Sequence, residues 1–305
     1  MKLPPAKEGV IDASFNCLDL VSGVFFLFLI FLFAAVHLQI EQMWRAGFEL
    51  IAAFIVWFSG TWVIRRRLSQ VSWMIRPASV LAAYGILFSV AEKMQHVFVP
   101  GWMDDRIVAL DAWLLGSESS LLLQKFIHPL LTEWMMFAYV MYVPLLPLVA
   151  IICYRSKNGS ALNDYLLNLA VSYCVCYVGF MMFPVATQMH YLSQLYTVPL
   201  DGWLFTWCGE WMRANLHAPG GGLPSAHCAA ATVMLVTLLQ HNKRAFFAIL
   251  PIIITLYVST TYGRYHYMWD GITGILTGLT VILVSPLCVR AVSWWFPRCI
   301  STQNS

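Results

Sequence analysis

Gly220-Gly221-Gly222-Leu223-Pro224-Ser225-Ala226-His227 opens straight into an uncharged run that continues to Gln240. Glycines let a backbone approach an anion closely, and a proline suits the first turn of a helix, where its missing N–H costs nothing. The stretch reads as a turn delivering an apolar helix whose free N-terminal amides favour an oxyanion. His227 would stand within a turn of that anion as a proton donor or acceptor. The plainer reading is a turn at a membrane edge with a satisfied histidine. A second stretch shifts that balance: Ser259-Thr260-Thr261-Tyr262-Gly263-Arg264-Tyr265-His266-Tyr267-Met268-Trp269-Asp270. His266 and Asp270 are four apart, so a helix would carry both on one face and the carboxylate can orient the imidazole. Arg264 adds a fixed cation. A phosphate held by an arginine and helix-end amides, attacked by one imidazole and protonated by another, is the chemistry this set supports.

Around these stretches the 305-residue chain is 60% hydrophobic and only 11% charged, with a mean hydropathy of +0.70. A soluble chain carries about 25% charge. Charge-poor runs occur at Leu20 to Ile40, Leu50 to Ile64, Pro77 to Val99, Trp134 to Tyr154, Leu162 to Pro184, Pro224 to Gln240, Ala245 to Tyr262 and Tyr267 to Val289. Helices of this length reach across a bilayer, so the expectation is an all-α integral membrane protein of about eight transmembrane helices. The first run is too long for a signal peptide and lacks its small-residue cleavage site. Thirteen tryptophans and thirteen tyrosines suit two interfacial belts. The net charge of +3, with no basic cluster interleaved with aromatics, argues against nucleic acid.

The segments between the runs are informative as well. From Val99 to Thr132, Asp104, Asp105, Arg106, Asp111, Glu118 and Lys125 alternate with Trp102, Trp113, Leu121, Leu122 and Phe126 at roughly helical spacing. Short interfacial helices are expected there, either roofing a site or serving as an anchored connection. Trp203, Trp207 and Trp211 recur every four residues, as on a helix anchored at the membrane surface. Glu92, Lys93 and Glu133 are ionisable groups at span ends and so functional candidates. Four of the eight cysteines, Cys153, Cys174, Cys176 and Cys288, fall inside apolar runs and read as packing residues, while Cys208 and Cys228 are candidates for a bridge.

Placing Arg65-Arg66-Arg67 and Arg76 in the cytoplasm puts Arg155, Lys157, Lys243, Arg244, Arg290 and Arg298 on the same side by alternation, with both termini cytoplasmic. The two histidine stretches then share the outer face, whether periplasmic, extracellular or luminal.

Pro-Ser-Ala-His at 224–227 and Arg-Tyr-His-x-x-x-Asp at 264–270 resemble the second and third signature motifs of the type-2 phosphatidic acid phosphatase superfamily, most of all its branch containing inositol phosphorylceramide synthases. The resemblance implies that His266 is a nucleophile forming a phosphohistidine and that Asp270 supports it. It further implies that His227 protonates the leaving oxygen and that Ser225 binds phosphate. The usual arginine, separated from the nucleophile by five residues, is replaced by Thr260, leaving Arg264 to supply charge from another angle. The first motif is not recognisable. Its place falls around Phe183 to His190, where Gln188 and His190 are the polar substitutes. A six-helix catalytic core at 73–292 is expected, preceded by two added helices in 1–72 and followed by a tail at 293–305.

The resulting expectation is a metal-independent enzyme without cofactor, acting on a lipid phosphate or diphosphate drawn from the surrounding membrane lipids. Arg264, Ser225 and the amides of Gly220 to Gly222 would stabilise the phosphoryl oxygens, with Gln188 and His190 nearby. Water as acceptor gives a phosphatase; a hydroxyl acceptor gives a phosphotransferase. A zinc shell of His227, His266 and Asp270 is the metal alternative, disfavoured by the adjacent arginine. A lipid transporter is the non-enzymatic alternative, disfavoured because the polar groups gather at span ends rather than at the midplane.

Overall fold

The computed structural model describes residues 12–36, 43–65, 72–156, 160–216 and 219–295. Arg66, Arg67, Lys157, Arg298, His217 and residues 296–305 of the expected tail lie outside those bounds. Twelve α-helices follow one another in the described residues: α1 (Asp12–Val36), α2 (Met43–Arg65), α3 (Ser72–Lys93), α4 (Asp104–Leu115), α5 (Ser119–Leu123), α6 (Pro129–Tyr154), α7 (Ala161–Met182), α8 (Gln188–Tyr191), α9 (Leu204–Leu216), α10 (Ala226–His241), α11 (Lys243–Tyr262) and α12 (Met268–Trp295).

Seven of these, α1, α2, α3, α6, α7, α11 and α12, are long and apolar enough to cross a membrane. The eighth expected span is α10, an apolar helix of 16 residues, shorter than the others. Its position explains the length. It lies inside the bundle between α7, α11 and α12, and nearly every residue from Ala226 to Met234 is buried.

Several helices extend past the charge-free runs because their charges are paired within the protein. Asp19 in α1 bonds to Arg76 in α3, and Thr61 of α2 joins the same group. Arg76 is thus 3% exposed, a buried ion-pair partner and not the surface cation that alternation assumed. Lys93 at the end of α3 pairs with Glu49 of α2 at 2.7 Å. Only the Asp19–Arg76 pair is buried, and breaking it by removing one partner leaves an uncompensated charge at a cost of about 3–5 kcal/mol. These contacts therefore fasten α1 and α2 to α3.

Helices α10 and α12 meet through small residues. A Cβ at Gly278 would fall 2.6 Å from the Ala229 carbonyl oxygen, and Gly271 and Gly274 lie along the same face against Cys228 and Ser225. Small residues let helix backbones approach closely where lipid supplies no hydrophobic drive between helices. This close crossing brings the start of α10 against the start of α12, where the Ser225 amide donates to the Asp270 carbonyl at 2.9 Å.

The segment between α3 and α6 forms interfacial helices that cover this end of the bundle. Ile107 of α4 packs with Val185, Leu192 and Tyr267. Trp203, just before α9, and Trp207 and Trp211 within it point outward at 58%, 65% and 50% exposure, while Glu133 of α6 accepts bonds from the amides of Trp203, Phe205 and Thr206. Glu133, a candidate for chemistry by its sequence position, instead satisfies the otherwise unbonded donors at the start of α9. Cys208 and Cys228 are both free thiols, the first half-buried and the second buried in α10.

Candidate active site

The turn that opens α10 differs in detail from its reading as sequence. Pro224 precedes the helix instead of occupying its first turn, and Leu223–Pro224 is cis. Ser225 is the N-cap, its hydroxyl accepting from the Cys228 amide at 3.3 Å. Gly220 and Gly221 have φ of 131° and 66°, values that side-chain-bearing residues rarely adopt. They pack against the end of α3, where Gln95 donates to the Pro219 carbonyl at 2.7 Å. His227 follows in the first turn of α10.

His266 stands just before α12, in the turn that ends α11, so it and Asp270 do not share a continuous helix. Their side chains nevertheless approach within ion-pair distance, with no hydrogen bond formed on Nδ1. His266 Nδ1 lies 3.4 Å from Asp270 Oδ2, and the same oxygen accepts from the Tyr267 amide at 3.0 Å. Asp270 is fully buried. On the other side of the ring, His266 Nε2 lies 3.4 Å from His227 Nδ1.

Both imidazoles face a small cavity of about 10 Å³, room for one water-sized group, lined by Phe88, Thr187, Met189, Gly220, Gly221, His227, Tyr265 and His266. Aromatic rings fix its walls. Tyr265 stacks on Tyr139 at 4.0 Å and 4°, and Tyr139 stacks on His227 at 5.2 Å. Tyr142 also approaches the His227 ring, at 4.6 Å. At the outer end of this stack Arg213 of α9 lies 4.8 Å above the Tyr265 ring and donates to the Gly263 carbonyl at 2.6 Å.

The remaining expected phosphate ligands are placed elsewhere. Arg264 is 7% exposed, stacks 3.9 Å above Tyr196 and donates to the Val198 carbonyl at 2.5 Å. Burial pushes its pKa below the ordinary arginine value. Gln188, fully buried, donates to Glu118. His190 is solvent-exposed outside the cavity, with partial desolvation and then the charge of Arg213 holding its pKa below the usual histidine value. Gly222 lies behind the cavity, where an added Cβ would be 3.1 Å from Asp270 Oδ2. Ser225 is committed to its cap. The structure thus brings together His227, His266 and Asp270, with the Gly220–Gly221 turn, leaves Arg264, Gln188 and Ser225 bonded to other groups, and places His190 outside the cavity.

One carboxylate outside this set spans both walls. Asp104, the first residue of α4, accepts from the Tyr267 hydroxyl at 2.8 Å and from the Ala186 amide at 2.8 Å. It joins the residue after His266 to the residue before Thr187. Burial raises its pKa, partly offset by those two bonds. Glu92, by contrast, is 4% exposed with its Oε1 unbonded beside Gly221.

No group of three or more His, Cys, Asp or Glu side chains is disposed to hold a metal ion among the described residues. The aromatic wall, Arg213, Asp104 and Thr187 escaped the sequence reading. They come from six separate segments, and only Tyr265, beside His266, and Thr187, beside Gln188, had a neighbour to mark them.

A family model described as the PAP2 superfamily matches residues 105–284, more than half of the chain. No curated protein and no solved structure matches the chain.

Proposed function

The chain belongs to the PAP2 superfamily, and from that premise we propose that it is a membrane-embedded lipid phosphatase or phosphotransferase working through a phosphohistidine on His266. Members of this superfamily are generally phosphatases or phosphotransferases. The observation that carries the reading is the line Asp270–His266–His227, with 3.4 Å at each step and the second step bordering one cavity.

Asp270 against Nδ1 favours the tautomer with the proton on that nitrogen, which leaves the Nε2 lone pair directed at the cavity. His266 Nε2 then attacks phosphorus, the P–O bond to the lipid breaks, and His227 gives its proton to the departing oxygen. In the second step His227 takes a proton from the acceptor as its oxygen attacks phosphorus and the P–N bond breaks. Asp270 stabilises the imidazolium without itself taking the proton. Amides of the Gly220–Gly222 turn are the donors proposed for the phosphoryl oxygens. In this reading Arg264, Gln188, His190 and Ser225 act through the shape of the site unless the substrate draws them in.

Hydrolysis and transfer to a hydroxyl use the same residues. The resemblance to the inositol phosphorylceramide synthase branch and the absence of a recognisable first motif keep transfer beside hydrolysis as the second reading. The catalytic unit is proposed to be 73–292, with 1–72 as an addition. The site is proposed to face the periplasm, exterior or lumen. Arg155, Lys243, Arg244 and Arg290 stand at the opposite ends of the helices, on the proposed cytoplasmic side with both termini.

The test is turnover by purified protein in detergent with a chelator present. A panel of lipid phosphates and diphosphates is supplied with and without hydroxyl acceptors. Phosphate released or transferred by the wild type, and lost in His266→Ala at equal expression, supports the reading. Lipid movement that persists in His266→Ala without any turnover favours a transporter instead.

A further inference from the structure

Thr187 is a threonine in a conformation that suits glycine. Its φ of 76° and ψ of 156° fall in a region that essentially only glycine occupies, a strained conformation for a β-branched residue. It immediately precedes the short helix α8, a position where threonine hydroxyls commonly cap the following amides, yet its side chain makes no such bond. The residue is 4% exposed and its Oγ1 has no hydrogen-bond partner. A buried hydroxyl without a partner is unfavourable, so strain and an orphaned donor are both retained at one residue. That residue lines the same cavity as His227 and His266.

The surroundings hold it there. The Ala186 amide is bonded to Asp104, which also holds Tyr267, and the Met189 amide donates to the Arg264 carbonyl at 3.0 Å. The Thr187 carbonyl accepts from the His190 and Tyr191 amides at 3.2 and 3.0 Å. The backbone on either side of Thr187 is therefore tied to the turn that carries His266.

We propose that the Thr187 hydroxyl is the side-chain donor for the phosphoryl group, hydrogen-bonding a non-bridging oxygen while His266 and His227 act on phosphorus. Thr187 forms no covalent bond and keeps its proton. It supplies, from the stretch 183–190, a polar contact that neither Gln188 nor His190 makes in the cavity. The ligand chemistry is a tetrahedral oxyanion, and the inference rests on the function proposed above.

The experiment compares wild type, Thr187→Ser, Thr187→Val and Thr187→Gly in detergent. Readouts are lipid-phosphate turnover, inhibition by orthovanadate as a tetrahedral oxyanion, and the melting temperature. Thr187→Ser should stay within about threefold of wild type in kcat/KM and in vanadate inhibition. Thr187→Val, the same shape without the hydroxyl, should lose about 10- to 100-fold in both. Thr187→Gly should lose as much activity while melting higher, because the backbone strain is removed. If Thr187→Val fails to fold, Thr187→Gly decides, since glycine fits this backbone. Wild-type activity and vanadate sensitivity in whichever of these two variants folds overturn the proposal. A wild type that neither turns over lipid phosphate nor binds vanadate removes the phosphoryl-transfer reading itself, and this proposal with it.

Discussion

His266 illustrates how one side chain takes its role from contacts on two sides. Nδ1 faces a buried carboxylate and Nε2 faces a second imidazole. If the carboxylate fixes the tautomer, Asp270→Asn should leave the ring in place but reverse its proton. Turnover is then expected to fall about 10²- to 10⁴-fold with KM little changed. Single-turnover kinetics on the folded variant would check this; a loss confined to KM would mean that Asp270 serves binding instead. His227 is positioned differently, against the rings of Tyr139 and Tyr142. No spacing rule in the sequence links those tyrosines to Tyr265, since α6 and the turn after α11 meet only in the folded bundle. In the sequence Thr187 was marked only by its place beside Gln188. Its type is ordinary, and its backbone angles and unbonded hydroxyl emerge only in the fold.

At the level of elements, the membrane helices were largely legible and their ends were not. Runs without charge located each long helix, but the limits shifted wherever a charge is paired internally, as Asp19 is with Arg76 and Lys93 with Glu49. The four-residue spacing of His266 and Asp270 gave the right contact for the wrong reason, because α12 begins only at Met268. The interfacial helices were expected, but their packing on the site was not decided by sequence. In the structure α4 presents Asp104 to both walls, and Asp111 accepts from the Ser119 amide at 3.1 Å with its other oxygen unbonded. Burial raises the Asp111 pKa above the ordinary carboxylate value. A raised pKa in the folded state means that the ionised form costs stability at neutral pH. That cost disappears as pH falls through the raised value toward the unfolded one, near 4. Asp111→Asn should therefore melt higher than wild type at pH 7–8, and the difference should shrink on acidification. Melting curves across that range check the sign, and a difference that grows toward low pH would contradict it.

Across the whole molecule, the site is assembled at one end of the bundle. The end of α3, the loop after α7, the turn before α10 and the turn between α11 and α12 all contribute to it, and interfacial helices cover it. Small-residue packing of α10 on α12 sets the distance between the two histidines, and the bond from Ser225 to the Asp270 carbonyl fixes their register. The two histidine motifs therefore fall at one end of the bundle, the condition that one phosphoryl site needs. Membership of the PAP2 superfamily agrees with this arrangement over residues 105–284. The most direct measurement is to quench the purified protein in alkali during turnover of a lipid phosphate labelled on phosphorus, then map the labelled peptide. The account predicts an acid-labile, alkali-stable phosphoryl group on the peptide containing His266, absent in His266→Ala and accumulating in His227→Ala when the leaving oxygen needs no proton. Label on another residue, or turnover by His266→Ala at the wild-type rate, would contradict it.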